Sequence, residues 1–174
     1  LWSKGIKEFC NVAEKIKKKY NAKFQILGFI EPKSKFAVSK RQLDKWEKMG
    51  AINYIGYTNN VIDKMLQSDC IVLPSFYNEG VPRTLLEASA LKIPIITTNI
   101  PGCANAVQDG LNGFLCNPRD EKDLYLKIEK FINLTKKEKV KMGNNGRIKV
   151  VREFDDKIVI SKYIQVLDDI MLNI

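Results

Sequence analysis

Residues 73–90 have the sequence LPSFYNEGVPRTLLEASA, and the order of residue types in this stretch decides the fold. The apolar run that leads into it, residues 70–73, contains β-branched residues and is typical of a short buried parallel strand. Pro74 ends that strand, and the polar and glycine residues 78–80 form a loop. Pro82 is predicted as the first residue of the helix that follows, because its missing N–H is not needed there.

A strand, a glycine-containing loop and a helix start, in that order, favour an anion site. Free backbone N–H groups and the positive end of the helix dipole converge at such a point. Two carboxylates flank it, Glu79 in the loop and Glu87 on the helix. Carboxylates accept hydrogen bonds from sugar hydroxyls, whereas the amides suit a phosphate, so the stretch predicts a nucleotide-sugar site. The alternative is structural: an acid near a helix N-terminus and an Arg83–Glu87 ion pair one turn apart.

The stretch resembles the signature of glycosyltransferase family 4, the retaining enzymes of the GT-B fold. That signature is a glutamate, seven residues and a second glutamate, set between P-S and E-A-x-A. The residues that match it are Pro74, Ser75, Glu79, Gly80, Glu87, Ala88 and Ala90.

The resemblance assigns roles to individual residues of this sequence. It implies that Glu87 binds the ribose hydroxyls and that Glu79, the catalytic candidate, contacts the donor sugar. It also implies that Gly80 and Val81 present backbone to the sugar. The amides near three further residues would face the diphosphate: Arg83, Thr84 and Leu85.

Lys4 extends the resemblance to the start of the chain. It matches the lysine of the family's x-x-K-G-I element, which holds the nucleotide diphosphate together with an arginine just upstream. That arginine and its strand would lie before residue 1. The resemblance therefore implies that residues 1–174 are one nucleotide-sugar-binding domain that lacks its first strand and the N-terminal acceptor domain. Alone, such a domain should bind donor weakly and catalyse nothing.

A narrower resemblance is to bacterial glycosyltransferases that build polysaccharides and lipid-linked oligosaccharides. These enzymes have G-F-I, then S-x-x-Q-L-x-x-W and Y-x-G, and this chain has the same residues within positions 28–56. In the family the end of the strand at residues 52–57 lies beside the nucleotide base, so Gly56 and Tyr57 are candidate base contacts. The alternative is a strand-ending glycine beside a core tyrosine. One departure from the family is Asn105, where relatives usually have glutamate.

Strand and helix patterns alternate along the whole chain and predict an α/β domain, a doubly wound Rossmann-like parallel sheet. Ser3 is a candidate N-cap for the first helix, Pro101 and Gly102 are predicted to form a turn, and residues 109–115 a hairpin. The helix at residues 61–67 should turn Val61, Met65 and Leu66 inward. The last two helices are predicted at residues 136–151 and 155–172, broken by Gly143 and by Glu153 and Phe154.

Composition excludes several other kinds of site. The chain has no histidine, and its four cysteines are far apart without a C-x-x-C pair, which argues against a zinc site or a Cys–His nucleophile. No D-x-D motif is present, so we expect no metal and no other cofactor. Cys10 and Cys70 lie in apolar segments and are predicted to be buried thiols.

The net charge of +9 raises the question of an anionic partner. The lysines are dispersed over predicted helix faces and accompany no nucleic-acid-binding motif, so a solvated surface is expected and nucleic acid is not. Attraction to an anionic membrane or to a lipid-linked acceptor is a second interpretation. No apolar run in residues 1–174 approaches the roughly 20 residues that span a bilayer, and these residues contain no signal-peptide pattern. We therefore expect a cytoplasmic protein, with peripheral contact at the inner face of the membrane under the second interpretation.

The sequence thus predicts the donor-binding domain of a retaining glycosyltransferase. It would move a sugar from a nucleotide sugar, which we expect to be a UDP-sugar, to a glycan or lipid-linked acceptor in cell-surface polysaccharide synthesis. Two alternatives stay open: a GT-B epimerase or phosphorylase with the same fold, and a non-catalytic module that binds nucleotides or nucleic acid through its charge.

Overall fold

The computed structural model describes residues 1–31 and 34–171, with the backbone alone at residue 159, and five strands alternate with helices in this part of the chain. A short 3-10 helix, Trp2–Lys4, comes first. The other elements in chain order are α1 (Ile6–Lys17), β1 (Gln25–Leu27), α2 (Lys40–Lys48), β2 (Asn53–Gly56), α3 (Val61–Leu66), β3 (Ile71–Leu73), α4 (Arg83–Ala90), β4 (Ile95–Thr98), α5 (Pro101–Ala106), β5 (Gly113–Cys116), α6 (Glu121–Ile132), α7 (Lys136–Phe154) and α8 (Asp156–Met171).

All strand pairs are parallel, and they form two hydrogen-bonded groups. β1 pairs with β2, whereas β4 lies between β3 and β5. Ile95 of β4 is opposite Ile71 on one side and Gly113 on the other. Within residues 1–31 and 34–171 no backbone pairing joins the two groups.

Side chains of the central strands alternate between two cores, which is why helices cover both faces of the sheet. Ile96 and Phe114 point into one core, together with apolar residues of α1, α2 and α6. Ile95 and Leu115 point into the other, together with apolar residues of α3, α4 and α5. The predicted doubly wound α/β fold is confirmed.

Two local predictions between β4 and β5 are wrong. Pro101 is the first residue of α5, where its fixed φ and missing N–H suit a helix start, so Pro101 and Gly102 form no turn. The predicted hairpin at residues 109–115 is a loop that leads into β5, and β5 pairs in parallel with β4 instead of folding back. Asn112, buried in that loop, accepts from the Gln108 amide and donates to the Ala106 carbonyl.

Further corrections concern helix ends and faces. Ser3 does not cap α1, because Gly5 occupies the N-cap position with a φ of 73°. In α3 only Met65 is buried, while Val61 and Leu66 are exposed.

Gly143 lies inside α7 and does not break it, since α7 continues to Phe154. A side chain at Gly143 would put its Cβ 1.9 Å from the Lys92 carbonyl oxygen, so glycine is needed where α7 contacts the turn after α4. The predicted last residue of the final helix, Leu172, lies outside the described residues.

All four cysteines are free thiols. Cys10 is buried as predicted, whereas Cys70 is half-buried. Burial raises the pKa of the Cys10 and Cys116 thiols to about 12, so both stay protonated.

Large apolar side chains of α8 are exposed along one side: Ile160, Tyr163, Ile164, Leu167, Ile170 and Met171. In the part of the chain that the structure describes, no helix is long and apolar enough to cross a membrane.

Candidate functional site

The candidate site is the loop of residues 74–80, which forms most of the connection between the end of β3 and the start of α4. In open parallel sheets ligands bind beyond the carboxyl ends of the strands, which is where this loop lies. The loop begins with two buried residues, Pro74 and Ser75, and its tip exposes Tyr77 and Asn78. The buried start anchors the loop, and the exposed tip is accessible to a ligand.

Lys4 and Glu79 meet in this site. The Lys4 ammonium donates to Oε1 of Glu79, and both side chains are about three-quarters buried, with 30% and 26% of their surface exposed. The 3-10 helix before α1 carries the lysine, and the loop after β3 carries the carboxylate. The structure therefore brings together the two residues that the sequence analysis assigned to the diphosphate and to the sugar.

Ser3 and Ser75 hold the first part of the loop against the start of the chain. The amide of Phe76 donates to the Ser3 carbonyl oxygen at 3.0 Å. The fully buried Ser75 hydroxyl lies 3.2 Å from the same carbonyl oxygen and 3.4 Å from Oε1 of Glu79. The Glu79 carboxylate thus has a cation and a hydroxyl beside it before any ligand binds.

Two glycines allow backbone segments to approach this loop more closely than any side chain would permit. A Cβ at Gly5 would lie 2.1 Å from the Pro74 carbonyl oxygen. A Cβ at Gly102, in the first turn of α5, would lie 2.1 Å from the carbonyl oxygen of Glu79 and 2.5 Å from that of Gly80. The N-termini of α1 and α5 therefore pack closely against the two ends of the loop.

Two threonines at the end of β4 fix the other side of the loop. Thr97 donates its hydroxyl hydrogen to the Leu73 carbonyl oxygen at 2.7 Å, and the Thr98 hydroxyl donates to the carbonyl of Ser75. Both threonines are fully buried. Ser3, Gly102 and these threonines were not predicted to belong to the site. For the threonines a signal was available, a pair of polar β-branched residues at the end of a buried strand.

The start of α4 supplies free amides. Pro82 is the N-cap and not the first helical residue as predicted, because its ψ of 126° is extended. No side chain caps this end. Leu85 is fully buried, and its amide donates to the Pro82 carbonyl at 2.9 Å, so this amide is not free to bind a ligand. Of the three amides predicted to face a diphosphate, those of Arg83 and Thr84 are therefore available.

Glu87 lies on α4, one turn after Arg83. The Arg83 guanidinium is 3.6 Å from Oε1 of Glu87, and 91% of the Arg83 side chain is exposed. The ion pair considered as a structural alternative is therefore present. Exposed pairs of this kind contribute about 0.3–0.5 kcal/mol on a helix, so the pair leaves Glu87 available for a ligand.

Gly56 is the last residue of β2, in the other strand group, and Tyr57 follows it. Gly56 has a φ of 77°, and its carbonyl accepts from the Gly28 amide. Tyr57 is 68% exposed, and its hydroxyl donates to the Asn59 side chain at 2.6 Å. Tyr57 is thus no core tyrosine, and its ring is accessible to a ligand. Val81 is half-buried, Gly80 is exposed, and Asn105 is exposed on α5.

No group of three or more cysteine and acidic side chains in residues 1–31 and 34–171 is arranged to hold a metal ion. The expectation that no metal takes part stays a prediction.

The chain matches known proteins over most of its length. A family model described as "Glycosyl transferases group 1" matches residues 1–149. The N,N'-diacetylbacillosaminyl-diphospho-undecaprenol alpha-1,3-N-acetylgalactosaminyltransferase of Campylobacter jejuni is 28% identical over 174 residues, all of this chain and 44% of that protein. The chain thus spans less than half the length of this relative.

Solved structures share the fold. The structure of HepE from Anabaena in complex with UDP superposes with a TM-score of 0.83 at 17% identity, over 97% of this chain and 46% of that one. The C-terminal domain of a glycosyl transferase group 1 family protein from Francisella tularensis superposes with a TM-score of 0.76 at 25% identity, over 89% of this chain and 82% of that domain.

Proposed function

Since the chain belongs to the group 1 glycosyl transferases, we propose that it is the donor-binding domain of a retaining glycosyltransferase that uses a UDP-sugar. The observation that carries the proposal is the meeting of Lys4 and Glu79 beside the uncapped start of α4. A cation and two free amides suit a diphosphate, and an adjacent carboxylate suits sugar hydroxyls. The UDP bound to a protein of the same fold supports the choice of nucleotide.

The reaction we propose transfers the sugar with retention of configuration. The bond between the anomeric carbon and the β-phosphate oxygen breaks, and its electron pair leaves with UDP. The acceptor hydroxyl oxygen attacks the same face of the sugar and passes its proton to the departing phosphate. Lys4 and the amides of Arg83 and Thr84 stabilise the charge that develops on the diphosphate, without a metal. Glu79 stabilises the positive charge that develops on the sugar, and Glu87 holds the ribose hydroxyls.

We propose that the acceptor is a glycan or a lipid-linked oligosaccharide in cell-surface polysaccharide synthesis, bound by an N-terminal domain of the same protein. The name of the Campylobacter jejuni relative includes diphospho-undecaprenol, which supports a lipid-linked acceptor. This chain covers 44% of that relative, which supports a further domain. Such an acceptor implies a cytoplasmic protein with peripheral contact at the inner face of the membrane.

The two strand groups support a further part of this proposal. Ile26 of β1 and Val72 of β3 contact the same core, although no hydrogen bond joins their strands in the described residues. We propose that the domain's first strand, N-terminal to residue 1, lies between β1 and β3 and completes one sheet.

Titration of UDP into the isotopically labelled chain, followed by NMR, tests the donor site. We expect amide shifts at residues 80–87 at millimolar UDP, and the same affinity in the presence of EDTA. Absence of shifts in that segment would count against the site, and loss of binding in EDTA would show that a metal takes part.

A further inference from the structure

Arg119 has an unusual backbone conformation for its residue type. Its φ is 59°, and Lys92 is the other non-glycine residue with a positive φ in the described chain. Lys92 directly follows the C-cap of α4, Leu91, where helices commonly end on a left-handed residue. Arg119 belongs instead to a turn between β5 and α6, in which the Asp120 amide donates to the Asn117 carbonyl at 3.4 Å.

Glycine would fit this turn better than arginine does. Pro118 precedes a left-handed residue, and a proline followed by positive φ is the arrangement of a type II turn, which favours glycine at its third position. A side chain there strains the backbone, and such strain persists where the surroundings over-determine it. The side chain of Arg119 is therefore the place to look for a compensating contact.

That contact is with the candidate site. The guanidinium carbon of Arg119 lies 4.2 Å from the centre of the Phe76 ring, in cation–π geometry. Arg119 takes part in none of the ion pairs among the described residues, and the Phe76 ring is the contact recorded for its guanidinium. Phe76 belongs to the loop that carries Glu79, and its amide is bonded to Ser3. The turn after β5 thus contacts the loop after β3, although β4 lies between these two strands.

We propose that Arg119 is a positioning residue, which holds the loop of residues 74–80 in place by stacking on Phe76. The hydrogen bonds of Ser3, Thr98 and Ser75 fix the backbone at the loop's start, and Arg119 fixes the side chain that follows. The relevance of this contact to catalysis rests on the proposed function, in which the same loop presents Glu79. The contact between Arg119 and Phe76 does not depend on the proposed function.

Limited digestion with chymotrypsin measures the loop directly, because Tyr77 is exposed at its tip. Cleavage after Tyr77 is compared with cleavage after Tyr57 and Tyr163, which are similarly exposed, by mass spectrometry of the ligand-free protein. We expect Arg119→Gly to speed cleavage after Tyr77 about two- to five-fold, the factor that an exposed cation–π contact corresponds to. The melting temperature should stay the same or rise, since glycine relieves the backbone strain.

Two further variants separate the stacking from the backbone effect. Arg119→Lys keeps a cation over the ring and should retain most of the protection. Lys92→Gly relieves the same kind of strain away from the loop and should leave cleavage after Tyr77 unchanged. Three results would overturn the proposal: an unchanged rate after Tyr77 in Arg119→Gly, equal acceleration at all three tyrosines, or no protection in Arg119→Lys.

The same assay with saturating UDP keeps the two proposals apart. UDP should slow cleavage after Tyr77 in the unchanged protein. Failure of UDP to protect would count against the donor site, whereas the stacking contact is judged from the ligand-free rates alone.

Discussion

Lys4 and Glu79, 75 positions apart in the chain, form an ion pair at the mouth of the candidate site. The cation proposed to meet the diphosphate is thus neutralised by the carboxylate proposed to meet the sugar. Binding of a nucleotide sugar would replace each partner by a group of the ligand. The ligand-free pair therefore keeps both side chains close to the positions in which they would act.

Replacement of Glu79 by glutamine should act on turnover and not on nucleotide affinity. The carboxylate stabilises charge that develops only in the transition state, so kcat with a UDP-sugar should fall about ten- to a hundred-fold in the full-length protein. UDP affinity should stay the same or rise, because Lys4 is released from its partner. Normal turnover with a lowered melting temperature would mean that Glu79 only stabilises the start of α4.

Replacement of Lys4 by methionine should act on nucleotide affinity. The variant loses the cation that meets the diphosphate, and UDP binding measured by calorimetry should weaken by about 1.5–3 kcal/mol. Lys7→Met removes the same charge from an exposed position three residues further along, at the second residue of α1, and is the matched control. An equal loss of affinity in both variants would point to the general charge of the protein, and not to a contact of Lys4.

Replacement of Glu87 by glutamine should weaken UDP binding by about 1–3 kcal/mol, because a carboxylate that accepts from two ribose hydroxyls becomes a neutral amide. Arg83→Gln removes the ion pair of Glu87 while leaving the carboxylate in place. We expect calorimetry to show little change in UDP affinity for this control. Unchanged affinity in a folded Glu87→Gln variant would leave Glu87 as a helix-face acid.

Gly102→Ala should damage the site through its backbone. The new methyl group would meet the carbonyls of Glu79 and Gly80, so either α5 or the loop must move. We expect a loss of about 1–3 kcal/mol in the free energy of unfolding, measured by urea denaturation, and a loss of turnover.

Gly80→Ala is the contrasting variant, because a Cβ at Gly80 would have no atom within 4 Å. Its stability should be unchanged, so any effect on donor binding would report contact of the ligand with Gly80. Equal stability of the two variants would contradict the close approach of α5 to the loop.

Local signals in the sequence were sufficient to predict the layout of the fold. Short apolar strands alternate with amphipathic helices, and the alternating burial of Ile95 and Ile96 is the physical basis of the two-faced sheet. The motif around Glu79 and Glu87 predicted a loop between a strand and a helix, and the loop between β3 and α4 lies there. The hairpin at residues 109–115 was wrong because glycine-rich turns favour antiparallel pairing locally, whereas the pairing of β5 with β4 depends on tertiary contacts.

Contacts between distant segments could not be predicted in the same way. Gly102 had the signature of a turn, and its close approach to Glu79 is visible only when α5 and the loop are in place. Arg119 likewise belongs to no motif from which a role could be predicted. Its contact with Phe76 depends on the strand order β3–β4–β5, which no local pattern encodes.

The exposed apolar side of α8 has a practical consequence for handling this chain. Ile160, Ile164, Leu167 and Met171 recur at helical spacing and are 52%, 53%, 58% and 76% exposed, a surface of the kind that promotes association in water. Purified by itself, the chain should self-associate as its concentration rises, which sedimentation velocity would detect. Polar substitutions at Ile164 and Leu167 should yield a monodisperse sample without lowering the melting temperature, since these side chains contribute little to either core.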